Sequence, residues 1–344
     1  MNKFVKGAII AGALVAAPAI INNAVFSRAK ALGNTIGGEG RFWPWREGDL
    51  FYTKQGSGKP PIVLLHGVYA GASVYEWRKN FDALGEHFTV YALDWLGFGL
   101  SDKPKIQYTG ALYVEMLLDF LREVVGEPAA VVASSLGAAY AIDAAAKSPH
   151  LVSDLVLIEP TGLTHLAREA DECKMGGVAN QVGNLVLGTS VYNGVASVMF
   201  LRNYLQNQVY FDPSFVTDEM IEHYSTATHQ YGSQYAPLCF ISGQLGLDVH
   251  DSFPKLSQRT IRLVWGREAK VTPLSDAEAF LAANPRAEMT VFDKAGLLPQ
   301  DEQASAFNRF VTDLLTQPSE PVATSSNGTA AHASKPKKTK KSAE

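Results

Sequence analysis

Six apolar runs, "PIVLLHG", "FTVYALDWLGFG", "AAVVASSLG", "LVLIEPTG", "IRLVWG" and "MTVFDKAG", recur along the chain, and each ends in a glycine. A continuous apolar run closed by a turn residue is the pattern of a strand buried on both faces. Between the runs, helical spacing covers Ser73–Leu84, Ala111–Val125, Ala138–Lys147, Ser275–Ala283 and Glu302–Leu315. Strands alternating with helices predict an α/β fold: a mostly parallel, doubly wound sheet covered on both faces. In such sheets ligands bind beyond the carboxyl ends of the strands, so the residues closing each run carry the interest.

The alternation stops between Thr161 and Arg259, where "LVLGTSVYNGVASVMFLRNYL" and "DEMIEHYSTATHQY" read as helices. This predicts a helical cap at about 161–259, inserted into a domain spanning 48–316. Ahead of the first run, "GRFWPWREGDLFYTK" sets two tryptophans around a proline and then alternates like a strand. The turn "QGSGKPP" is not a phosphate loop, because Pro60 follows Lys59 where Ser or Thr is needed.

The two ends differ from the body. Lys3 and Lys6 precede the apolar stretch Gly7–Ile21, and Ala29–Ala31 reads "AKA". Residues 1–31 are therefore expected to be a cleaved export signal or an uncleaved membrane anchor, with a buried N-terminal helix as the alternative. Residues 317–344, rich in Ser, Thr, Ala, Pro and Lys, have the composition of a disordered tail. The tail carries five Lys against two Glu, so the overall charge of −4 leaves the body near −7. A mildly acidic body lacks the basic face that nucleic-acid binding requires. Cys173 and Cys239 form no disulfide framework and have no metal-ligand spacing. No metal or organic cofactor is implied.

The stretch "VVASSLGAAYA" raises a question about chemistry, because Ser135 stands where a strand gives way to a helix. A small–x–Ser–x–small turn in that setting lifts the hydroxyl above the sheet, with Ala133 and Gly137 leaving room for a strained backbone. The N–H of Leu136 would then face a developing oxyanion, and the N–H of Val68, after the first run, offers the second donor.

"LLHG", "DWLGFGLSDKP" and "ASSLG", in this order, resemble the α/β-hydrolase fold family, over roughly residues 48–316. The similarity is greatest to its capped branch of esterases, epoxide hydrolases, dehalogenases and carbon–carbon bond hydrolases. A serine at the elbow argues against the subgroups that use an Asp nucleophile. The family's acid follows a "WG" strand as W-G-x-x-D-x-x-x-P, and here "WGREAKVTP" puts Ala269 in the Asp position. The family's histidine sits in "AGHxP", and here "AGLLP" puts Leu297 in its place. The imidazole shuttles the proton while the acid only orients it, so the loss of the histidine matters more.

Substitutes must come from elsewhere. Glu159 closes "LVLIEP", where some hydrolases of this fold place their acid. Lys270 adjoins the vacant Asp position, and His165, His223, His229 and His250 lie in or beside the cap. For each of these a structural or surface role is the competing reading, and Glu268 is expected to pair with an arginine. His66, Tyr69 and Leu297 are assigned to the substrate pocket. Two functions follow: hydrolysis of an ester or similar acyl bond through Ser135 with a non-standard base, or ligand binding without hydrolysis. The cap is rich in Leu, Val, Phe, Tyr and Met, so the expected partner is a hydrophobic small molecule, with membrane attachment through the N-terminal segment.

Overall fold

The computed structural model describes residues 22–27, 29–167, 185–258 and 260–316. The apolar stretch Gly7–Ile21, Cys173 with the rest of residues 168–184, and the basic tail therefore lie outside the described residues. Eight strands form one sheet: β1 Glu39–Trp45, β2 Gly48–Gln55, β3 Pro61–Leu65, β4 Thr89–Leu93, β5 Ala129–Ser134, β6 Val152–Ile158, β7 Thr260–Gly266 and β8 Glu288–Phe292. Their order is β1-β2-β4-β3-β5-β6-β7-β8, with the first two pairings antiparallel and all others parallel. β3, β4 and β5 are buried along their whole length, as uninterrupted apolar runs require when helices cover both faces. The "FWPW" stretch is itself a strand, and Pro44 is tolerated because β1 is the sheet edge and pairs only with β2.

The helices differ from expectation where tertiary hydrogen bonds compete with the backbone ladder. Ser73–Leu84 is not one helix but a 3₁₀ turn, Val74–Trp77, followed by Phe81–Gly85. Asp94 Oδ1 takes the N–H of Val74 at 2.6 Å, and the Asn80 amide donates to Gln300 O and Asn308 Oδ1 across the fold. The helix expected from Ala138 begins three residues earlier, at Ser135 itself. Between β6 and β7 the described residues form helices and turns without a strand, including Leu185–Val195, Val198–Tyr204, Asp218–Thr228 and Tyr235–Ile241. They stand over the carboxyl ends of the central strands, with Tyr224 reaching Tyr69 after β3 at 3.3 Å between hydroxyls. Cys239 is a free, half-buried thiol.

Candidate active site

Ser135 follows β5 directly and holds a φ of 53°, a left-handed conformation costly for a residue with a side chain. Such strain persists only where the surroundings enforce it. Gly137 allows the enforcement, since a Cβ there would lie 2.7 Å from the His66 carbonyl oxygen. Ala133 is buried in β5, paired with Leu65 of β3. The result is a partly exposed serine whose hydroxyl makes no hydrogen bond among the described residues.

Two donors face it. The N–H of Val68 has no acceptor among the described residues. The N–H of Leu136 lies in the first turn of its helix, where no intrahelical acceptor exists and the helix dipole favours negative charge. Gly67 brings the two loops together: a Cβ built on it would meet Ser135 Cβ at 3.4 Å and Tyr69 Cε1 at 3.5 Å. Above them opens a cavity of about 430 Å³. Its wall is mainly apolar, with Leu201, Leu205 and Phe240 from the cap, and includes Val68, Tyr69, Ser135 and Leu297. Leu297 thus stands on the wall of the Ser135 cavity, as its place in the family pattern implies. Ala269 is buried but is not on that wall, which Val271 and Thr272 form on its side.

Two of the site assignments are corrected. His66 is fully buried and does not line the cavity. Its Nδ1 lies 2.6 Å from Gly67 O, and its Nε2 is 3.3 Å from the N–H of Trp95 that it accepts, so both ring nitrogens are spent on backbone. Burial holds its pKa down to about 4, which keeps the ring neutral. Glu159 is likewise absent from the wall. Its carboxylate oxygens are taken by the N–H of Gly266 at 3.0 Å and by the Thr272 hydroxyl, and burial pushes its pKa well above the usual range. It braces the ends of β6 and β7 instead of reaching Ser135.

The remaining candidates separate by position. Lys270 is exposed and donates to Asn207 O at 2.9 Å. Glu268 accepts the N–H of Ala295 at 3.0 Å, so its expected arginine partner is replaced by backbone. His223 contacts Ser73 Oγ at 3.1 Å and stacks on Tyr75 at 3.8 Å, with its pKa lowered to about 4 by burial. His229 is held by Ser225 O and His250 by Asp248. His165 alone among the described histidines lines the cavity. Its Nε2 is 2.9 Å from Asp276 Oδ2, an ion-pair contact without the alignment of a directed hydrogen bond.

One residue was not anticipated. Glu76, 1% exposed, lies beneath the loop after β3. Its Oε2 accepts from the Gly67 N–H at 3.1 Å and the Tyr69 hydroxyl at 3.2 Å, and its Oε1 from the Gln300 amide at 2.9 Å. The two contacts on Oε2 bracket Val68 and fix the direction of its free N–H. Burial raises the Glu76 pKa to about 7, against the hydrogen bonds that lower it. The signal was a lone carboxylate within the apolar "VYEW", which a helical reading turns towards solvent.

Residues 62–310 match the model of the alpha/beta hydrolase family. The chain is 28% identical over 232 residues to the 2-hydroxy-6-oxo-6-(2'-aminophenyl)hexa-2,4-dienoic acid hydrolase of Metapseudomonas resinovorans, covering 67% of this chain and 74% of that one. It is 27% identical over 283 residues to an uncharacterized protein of Mycobacterium tuberculosis, covering 77% and 78% of the two chains. Among solved structures it resembles a meta-cleavage product hydrolase of Pseudomonas fluorescens IP01, with a TM-score of 0.66 and 27% identity over 80% of this chain and 97% of that one. With the elbow, the parallel sheet and the cap in the order that family uses, the chain belongs to the alpha/beta hydrolase family.

Proposed function

We propose that the protein hydrolyses an ester or similar acyl bond of a hydrophobic small molecule through Ser135. The observation that carries this reading is the strained, unbonded serine beside two free N–H groups, at the floor of an apolar cavity. Serine Oγ would attack the acyl carbon while Val68 and Leu136 stabilise the oxyanion, a contribution that persists when triad partners are missing. The proton acceptor in this reading is His165, the imidazole on the cavity wall, with Asp276 beside it. Catalytic hydrogen bonds are often long before substrate binds and tighten in the complex. Hydrolysis of medium-chain nitrophenyl esters, abolished in Ser135→Ala and slowed in His165→Gln at unchanged thermal stability, is the expected result. Equal rates for Ser135→Ala and wild type would overturn it.

Leu297 favours a second reading, ligand binding without turnover. Its side chain packs against the buried cluster that holds Leu205, Val209 and Leu298 and lines the cavity, where the family's base would stand. In that case a bound ester would be recovered intact, and Ser135→Ala would bind it as tightly as wild type.

A further inference from the structure

We infer that the apolar rim of the cap docks on the surface of a lipid bilayer, so that the ester substrate enters the cavity from the membrane. The inference rests on the reading of Ser135 given above, which it extends to a substrate class: lipophilic acyl esters that partition into bilayers. Three residues on the cavity wall, Phe200, Ile241 and Val271, are also exposed to solvent, at 46%, 42% and 39%. Beside Phe200, Val198 is exposed and Met199 reaches 81%. Val191 extends the patch onto Leu185–Val195, which packs against both Val198–Tyr204 and Tyr235–Ile241. Scattered exposed apolar residues are ordinary, but a patch ringing a cavity mouth marks an interaction surface.

The choice of a bilayer comes from charge and chain direction. No Asp, Glu, Lys or Arg occurs from 185 to 201 or from 235 to 247, the segments that carry all of this rim except Val271. Charged groups are what such a surface must lack to settle into the acyl boundary. Asn22 is tied to the same cap helix: the Asn193 amide donates to its Oδ1 at 2.8 Å, and its own amide donates to Ser190 Oγ at 3.3 Å. The chain leading into Asn22 is the apolar stretch Gly7–Ile21. A lipid-seeking segment therefore joins the fold at the helix that carries Val191. No helix among the described residues is long and apolar enough to cross a membrane, so the contact described is with the surface.

All five tryptophans are buried, which makes an added one a clean reporter. The full chain carrying Met199→Trp is mixed with phosphatidylcholine vesicles, plain or with brominated acyl chains. The added emission should be lost on the brominated vesicles alone. A tryptophan placed by Met289→Trp, near the start of β8 and so at the opposite end of the sheet from the cavity, should keep its emission. Unquenched emission from position 199 overturns docking, whether or not the chain sediments with the vesicles. So does a dimer that forms without lipid and dissociates on Met199→Glu, which would give the rim to a second copy. Fluorophosphonate labelling of Ser135 in the same samples separates the two claims. Labelling without quenching defeats docking only, and quenching without labelling defeats the ester reading only.

Discussion

A fully buried carboxyl group on which Gly67, Tyr69 and Gln300 converge as donors is unusual enough to leave a thermodynamic trace. Glu76 keeps its proton to about pH 7 in the folded protein, whereas in the unfolded chain it ionises near its ordinary value of 4.5. The folded state therefore binds more protons between those values, so this residue's contribution is fully present below 4.5 and is lost as pH rises through 7. By linkage the loss is of order 3 kcal/mol across the window. Urea denaturation at pH 5 and pH 7.5 should show wild type losing more stability on that rise than Glu76→Gln. Parallel pH dependence in the two would contradict the assignment. Leu297 supports a second prediction at this scale. Placing an imidazole there and a carboxylate behind it, by Leu297→His with Ala269→Asp, should raise ester hydrolysis by about 10²–10⁴-fold, the usual yield of general-base catalysis. Leu297→His alone should give part of the gain, because the acid only orients the base. No gain from either variant would mean that position 297 does not present its side chain to Ser135.

The turn from β5 into its helix is the element on which the site depends. Its small residues are there for space: a Cβ at position 137 meets a backbone carbonyl, which cannot swing aside as a side chain would. Gly137→Ala should cost about 1–3 kcal/mol, the usual penalty of overpacking, and should lower Ser135 reactivity at temperatures where the variant is still folded. A variant with the wild-type melting temperature would show that β3 and the elbow are not in close contact. This element was legible in the sequence because its signals are local: an apolar strand, small residues at two fixed positions, and an Ala-rich helix. The turn at Val74–Trp77 was not legible, since the acceptor for its first N–H is Asp94, twenty residues away. Glu159 misled for a related reason. Its position at a strand end was read correctly, but nothing local announces that Thr272 and Gly266 occupy its oxygens.

Across the whole molecule, several hydrogen bonds tie the cap to the sheet domain, among them Ser73 with His223, the Tyr140 hydroxyl with Leu245 O and the Tyr210 hydroxyl with Asp301. Tyr224 of the cap meets Tyr69, and Tyr69 meets Glu76 beneath the loop after β3, so the cap and the loop beside Ser135 share one hydrogen-bonded chain. The order of elements followed from hydrophobic periodicity, but this coupling depends on long-range contacts that one sequence does not display. The central claim is that Ser135 is a nucleophile working without the family's histidine. It is tested most directly by the rate at which a fluorophosphonate modifies Ser135, located by mass spectrometry of the labelled peptide. Ser135 of the wild type should be labelled more slowly than in the Leu297→His, Ala269→Asp variant, and Ser135 of His165→Gln more slowly still. Labelling confined to the double variant, with wild-type Ser135 unmodified at every pH, would contradict it and leave a binding protein built on a hydrolase fold.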